Sequence, residues 1–132
     1  MIADSSAWIE MLRGRTTTVA LRLEQALRKG EPIWMPDAVY QEILQGSRDA
    51  RHFVNLQAQL DMVPVFVPEN SHETARQAAM LYARCRWAGM TIRSPNDCLI
   101  AACAIEADVP LLHADRDFER IAAIAPHLRF AE

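Results

Sequence analysis

Short apolar runs alternate along the chain with longer stretches in which apolar residues return every three or four positions. Met1 to Ala3 reads as a short buried strand. Ser5 or Ser6 then caps a helix running to about Arg13, with Gly14 ending it. In TVALRLEQALRK, residues 18 to 29, Val19, Leu23 and Leu27 share a helical face, and Gly30 stops the run. Ile33 to Met35 reads as a second strand. Pro36 and Asp37 open a helix, DAVYQEILQ, that ends at Gly46. Another amphipathic helix covers Arg48 to Leu60, and the prolines of MVPVFVP suit a third strand at a sheet edge. Ser71 to Ala88 reads as a long helix opened by Asn70 or Ser71 and stopped by Gly89. Ser94-Pro95-Asn96-Asp97 has the form of a helix start: a capping serine, a proline in the first turn and an acid three residues on. Val109 to His113 reads as a strand, Asp117 to Ile124 as a short helix, and Leu128 to Phe130 as a last edge strand.

Strands that alternate with helices predict an α/β fold, a three-layer α/β/α domain with a mostly parallel central sheet and helices on both faces. One domain is expected over residues 1–132, since that length suits one compact core. Open sheets of this kind place their sites beyond the carboxyl ends of the strands, near a switch in strand order. Asp4 directly follows the first strand, Asp115 follows the fourth, Asp97 starts the helix before that strand, and Glu42 lies at least one turn into the helix after the second. Four acids far apart in sequence are thereby directed toward one crevice.

Composition narrows the classes. Half of the residues are hydrophobic, yet no apolar stretch is long enough for a membrane span, and the opening MIADSS has neither the basic nor the apolar region of a signal peptide. The three cysteines, Cys85, Cys98 and Cys103, are odd in number and lack paired metal spacing, which suits buried free thiols in a reducing cytoplasm. A net charge of −3 argues against a generic nucleic-acid binder. The basic residues are nearly all arginine, with Lys29 the only lysine, and arginine's planar fork suits phosphate and carboxylate.

Two ionised carboxylates about 5 Å apart repel by about 3 kcal/mol at an effective dielectric near 20. Four such groups would strain a domain whose total stability is about 5–15 kcal/mol, so protonation, arginine partners or bound cations must offset them. Hard divalent cations favour an all-oxygen set of this kind. Taken singly, each acid has a plain reading. Asp97 favours a helix dipole, Asp4 caps a helix, Glu42 belongs to a solvated helix face, and Asp115 and Asp117 are turn residues. The signal is the set, placed at element boundaries.

The stretches MIADSSAWIEML, MPDAVYQEILQG, TIRSPNDCLIAACAIEADVPLL and HADRDFERI together resemble the PIN domain, in the small single-domain form of VapC-type toxins. The resemblance covers nearly the whole chain, in order. It implies an endoribonuclease dependent on Mg2+ or Mn2+, with the acidic quartet at Asp4, Glu42, Asp97 and Asp115 and with Asp4, Asp97 and Asp115 as metal ligands. It places an accessory acid at Asp117 and a small hydroxyl at Ser6. His113 stands where many members carry Thr or Ser. Two readings of His113 are open: a ring nitrogen that orients the site, or a buried strand histidine. The resemblance further implies an RNA substrate such as transfer RNA, a VapB-type antitoxin partner whose basic side chain enters the acidic site, and homodimers that join the antitoxin in a hetero-oligomer. Met80, Leu81, Tyr82 and Trp87 are the candidates for the dimer face, with a core role as the alternative.

Arg93, just before the Asp97 helix, is the candidate phosphate contact, against a plain solvent-facing loop residue. Two other classes remain to be separated. A haloacid-type phosphatase needs a second Asp two residues after the first, where this chain has Asp4-Ser5-Ser6, and a receiver domain needs a late lysine, whereas Lys29 is early. A non-catalytic module using the acidic crevice only to bind a protein partner is the other alternative.

Overall fold

The computed structural model describes all 132 residues. In chain order the elements are β1 (Ile2–Ala3), α1 (Ser5–Leu12), α2 (Thr18–Lys29), β2 (Met35–Pro36), α3 (Asp37–Gln45), α4 (Ala50–Leu60), β3 (Val65–Phe66), α5 (Ser71–Trp87), α6 (Pro95–Ala107), β4 (Leu111–Leu112) and α7 (Asp117–Ile124). β1 pairs in parallel with β4, Ile2 opposite Leu111 and Ala3 opposite Leu112, and β2 pairs in parallel with β3. Single parallel bridges from Ile2 to Trp34 and from Leu111 to Phe130 connect these pairs, giving the order β3-β2-β1-β4 with Phe130 at the far edge.

The chain moves outward from β1 through β2 to β3, then returns to the other side of β1 for β4. The switch in strand order therefore lies between β1 and β4, and their carboxyl ends open into one crevice. The ladders are shorter than the apolar runs suggested. Pro36 ends β2, while Pro64 and Pro110 immediately precede β3 and β4, and a proline cannot donate to a ladder. The last predicted strand survives only as the bridge at Phe130.

Side-chain caps set most helix starts. Thr17, Asp49 and Asn70 accept from the main-chain N–H of Ala20, His52 and Glu73 at the starts of α2, α4 and α5. The cap of α1 is Asp4, whose carboxylate accepts from the Ser6 N–H, so neither Ser5 nor Ser6 has the expected role. Ser94 occupies the cap position of α6 but makes no side-chain cap bond. α2 also buries a different stripe from the one read in the sequence. Ala20, Leu23 and Ala26 are buried and Leu27 is exposed, because small residues let α2 lie close against α1. Gly30 closes α2 at φ 68°, a left-handed conformation that disfavours a Cβ. Gly30→Ala is expected to lower stability by about 1 kcal/mol, read as a reduced urea midpoint at unchanged slope.

The core runs continuously between the sheet and both helical layers through Ile2, Leu23, Ile100, Leu111, Phe118 and Ile121. α5 packs on α6 and α7, α1 packs on α2, and α3 touches both α1 and α6. Cys85, Cys98 and Cys103 are free and buried, and burial pushes the Cys98 and Cys103 thiols up to about 12, so they remain protonated at neutral pH. No helix is long and apolar enough to cross a membrane.

Candidate metal centre

The two strand ends that flank the switch are tied together by one serine. Asp4, 2% exposed, leaves β1 and uses Oδ2 to accept both the N–H and the hydroxyl of Ser6. The same Ser6 Oγ accepts from the N–H of Ala114, just past β4, at 3.0 Å. Ser6 thus fixes one oxygen of Asp4 and joins both walls of the crevice. The other oxygen, Oδ1, is buried and has no partner. The plain helix-cap reading of Asp4 is therefore true of one oxygen and leaves the second unexplained.

Asp97 is the third residue of α6. Its main-chain N–H bonds to Ser94 at 3.1 Å, which sets the carboxylate on the first turn, where it is 5% exposed. Its Oδ2 is buried without a partner, as is Oε1 of Glu42 on α3. Buried polar side-chain atoms are normally satisfied. Four here are not, and three are carboxylate oxygens of the predicted quartet; the fourth is the indole N–H of Trp8, a donor.

Burial and mutual charge both act on these carboxyls. Burial first, then the charges of Asp4, Asp115, Glu42 and Asp117, push the Asp97 carboxyl up to about 7. Burial raises Asp4 as well, against the hydrogen bonds from Ser6, and Asp115 adds to the rise. Glu42 is raised by burial and by Asp4, while Ser5 works in the opposite direction.

The fourth wall is a turn organised around Asp115 and Asp117. The carboxylate oxygens of Asp97, Asp115 and Asp117 come within 4.8 Å of one another. Asp117 differs from the rest. It is 0% exposed and fully bonded, with Oδ2 accepting from Arg93 N and Nε at 3.1 Å each and Oδ1 accepting from Arg120 Nη1 at 3.0 Å. Burial alone would raise its pKa, but the hydrogen bonds and charges of Arg93 and Arg120 outweigh burial and lower it. Asp115 Oδ1 accepts from the Asp117 N–H at 3.0 Å and from Arg93 Nη2 at 2.8 Å.

His113 lies just past β4 and is half-buried, so it is not the buried strand histidine of one reading. Its ring packs on Phe118 and edge-on against Phe130, with centroids at 5.2 and 4.5 Å, and its Nδ1 accepts from the Asp115 N–H at 3.2 Å. Burial lowers its pKa, against the pull of nearby acids, so the neutral ring is favoured. Arg93, with a side chain 67% exposed, is an ion-pair partner of Asp115 and Asp117 and not a free loop residue. On α5, Leu81 is buried and Tyr82 partly so, whereas Met80 and Trp87 are exposed two turns apart.

Two features were not read from the sequence. Arg120 clamps Asp117 from one turn along α7, an i,i+3 spacing visible in DFERI. A groove of about 530 Å³ lies between α1, α3 and α4, lined by Ile9, Leu12, Ile43 and Leu56 and by the polar Arg13, Glu42, Arg48 and His52.

The chemistry of the free oxygens suits a hard divalent cation, while the acids whose oxygens gather within 4.8 Å of one another are Asp97, Asp115 and Asp117, without Asp4 or Glu42. The free oxygens belong to three carboxylates on different elements, they carry no proton donors, and their mutual repulsion is what a positive ion would remove.

A family model for the PIN domain matches residues 1–124. The VapC ribonuclease Mb1587 of Mycobacterium bovis is 34% identical over 125 residues, covering 94% of this chain and 92% of that protein. Ribonuclease VapC11 of Mycobacterium tuberculosis aligns with the same identity and coverage. Among solved structures, VapBC2 from Rickettsia felis bound to a DNA fragment from the promoter superposes with a TM-score of 0.75 at 19% identity, covering 98% of this chain and 96% of that chain. FitAcB from Neisseria gonorrhoeae gives 0.66 at 19%, with the same coverage. These two likenesses concern the fold.

Proposed function

We propose, from the premise that this chain belongs to the PIN-domain family, that it is a divalent-metal-dependent endoribonuclease and the toxin of a VapBC-type toxin–antitoxin module. The observation that carries this reading is the set of buried, unpartnered oxygens on Asp4, Glu42 and Asp97. The family's curated relatives, named as VapC ribonucleases, support RNA as the substrate.

Mg2+ or Mn2+, when bound, supplies Lewis-acid withdrawal of charge from the scissile phosphate and a lower pKa for a nearby water. Asp4 Oδ1 and Asp97 Oδ2 would hold the ion, with Asp115 as the third carboxylate. Ser6 fixes Asp4 through its other oxygen, and His113 steadies the Asp115 turn through the main chain. Glu42, raised in pKa and half-buried, orients the attacking water and accepts its proton at Oε1. The water oxygen would bond to phosphorus as the bond to the ribose 3′ oxygen breaks, and the departing 3′ oxygen would take a proton from solvent, leaving a 5′-phosphate and a 3′-hydroxyl. Arg93 lies at the exposed rim, where its remaining guanidinium donors meet the phosphate.

The proposed antitoxin contact follows from the groove between α1, α3 and α4. An extended apolar segment laid along Ile9, Leu12, Ile43 and Leu56 arrives at Glu42, where a basic side chain would meet the acids and block substrate. Met80 and Trp87 supply the proposed contact between two copies. A cytoplasmic setting is proposed because the three thiols are free.

The test is the chemistry of the cut ends. RNA treated with the protein and Mn2+ should yield fragments that ligate through a 5′-phosphate, and cutting should stop with EDTA. Fragments ending in a 2′,3′-cyclic phosphate, produced equally well in EDTA, would mean attack by the ribose hydroxyl and no role for the acids as an ion site.

A further inference from the structure

Resting on the metal-site reading above, we infer that Arg93 is a tethered counter-cation that sets the affinity of the crevice for its divalent ion. Arg93 is held at two points that do not depend on an ion. Its own N–H and its Nε both donate to Asp117 Oδ2, so the main chain and the side chain are moored to one buried carboxylate. From that mooring Nη2 reaches Asp115 Oδ1 at 2.8 Å. The guanidinium therefore stands over the carboxylate that borders the free oxygens, while most of its side chain stays in solvent.

This arrangement divides the acids into two groups. Asp117 is neutralised permanently, because Arg120 holds its other oxygen as well. Asp115 is shared, with Oδ1 committed to Arg93 and to the Asp117 N–H. Asp4, Asp97 and Glu42 have no cationic partner within the chain: no ion pair reaches them, and each keeps an unpartnered buried oxygen. A unit positive charge fixed beside Asp115 partly offsets the field of these acids without touching them. It makes the ion-free protein tolerable and repels an incoming divalent ion. The same charge favours the anionic phosphate of a substrate once the ion is in place. The chain thereby keeps its affinity for the ion low and ties tight loading to the arrival of phosphate.

Calorimetric titration with Mn2+ alone, without RNA, tests this on wild type, Arg93→Gln and Arg93→Lys. Arg93→Gln should bind Mn2+ roughly five- to tenfold more tightly at low salt, with the gain shrinking in 0.5 M KCl, the size and behaviour of a partly screened unit charge. Arg93→Lys, which keeps the charge and loses the fork, should bind close to wild type. Arg120 still holds Asp117 in both variants, and a melting curve of each confirms that it is folded. Equal or weaker binding by Arg93→Gln overturns the inference and leaves the metal site standing. It would make Arg93 a brace for the Asp115 turn, in which case Lys and Gln weaken binding alike. Failure of wild type itself to bind Mn2+ overturns both readings.

Discussion

Asp97→Asn is expected to lower RNA cleavage at least 100-fold and at the same time to make the ion-free protein more stable at pH 8. The two effects have one cause. Asp97 is buried among Asp4, Asp115, Glu42 and Asp117, and its carboxyl is pushed up to about 7. An acid whose folded pKa exceeds its unfolded value of about 3.8 is favoured by folding only when protonated. Its penalty is absent below pH 4, grows between pH 4 and pH 7, and is complete above pH 7. At 1.36 kcal/mol per unit, discounted for solvent at the crevice mouth, the penalty is on the order of 2–4 kcal/mol. Asparagine removes it. Urea unfolding with EDTA present should show Asp97→Asn about 2 kcal/mol above wild type at pH 8 and within about 0.5 kcal/mol at pH 4.5.

The difference between the two proteins is the quantity to measure. His113 titrates with the opposite sign: its lowered pKa means that stability is lost as pH falls below about 6.5, and subtraction removes that contribution. With Mn2+ at about 100 times its dissociation constant the order reverses, since wild type gains about 2.7 kcal/mol that the variant does not. Cleavage should fall at least 100-fold, because even groups that only orient a metal ligand cost 10–100-fold when removed. A variant that loses activity and also loses stability at pH 8 in EDTA would show that Asp97 is a structural cap and not a strained ligand.

Asp117→Ala behaves in the reverse way: it costs stability and spares the ion. Asp117 is wholly buried, yet it accepts from Arg93 N, Arg93 Nε and Arg120 Nη1, so deleting it leaves a main-chain N–H without its acceptor, Arg120 without its anion and Arg93 with Asp115 alone. Breaking such a buried pair from one side costs about 3–5 kcal/mol. The exposed guanidinium groups recover water here, which places the loss near 3 kcal/mol, measured by urea unfolding at pH 8. The pKa of Asp117 is lowered, so this contribution is present above about pH 3.8 and disappears as pH falls through the folded value. Where the variant remains folded, its affinity for Mn2+ should lie within a few-fold of wild type. Loss of Mn2+ binding at unchanged stability would instead make Asp117 a ligand.

The contrast between Asp97 and Asp117 also shows what the sequence could convey. Helix α2 was legible to its ends, because Thr17 and Gly30 mark both and Leu23 centres the buried face. The face itself turned toward Ala20 and Ala26, since alanine gives no periodic signal but allows close approach. The start of α1 was ambiguous in principle: Asp4, Ser5 and Ser6 can all cap a helix, and the choice depends on Ser6 being needed across the crevice at Ala114. Asp4 and Asp115 could be placed from strand ends and Asp97 from a helix start, because a parallel sheet with one switch point has few places to put them, whereas Glu42 lies inside α3. Their division into bonded and unbonded groups could not. That division depends on Arg93 reaching Asp117 across 24 positions, a contact that no local pattern encodes. Arg93 therefore read as a loop residue or a phosphate contact, when its first partners are acids of its own chain. The strands read too long for a local reason: the prolines of MVPVFVP read only as marks of a sheet edge and Pro36 only as a helix start, although Pro36 and Pro64 also cut the ladders.

The central proposal is that Asp4 and Asp97, through their unpartnered oxygens, and Asp115 form the seat of a divalent ion, with Glu42 beside it. Anomalous diffraction at the manganese edge, from crystals grown with Mn2+, tests it most directly. The account predicts a peak within bonding distance of the carboxylates of Asp4 and Asp97, absent from crystals of Asp4→Asn grown in the same solution. A manganese peak elsewhere on the surface, with Asp4 Oδ1 and Asp97 Oδ2 still unbonded at saturating Mn2+, would contradict it.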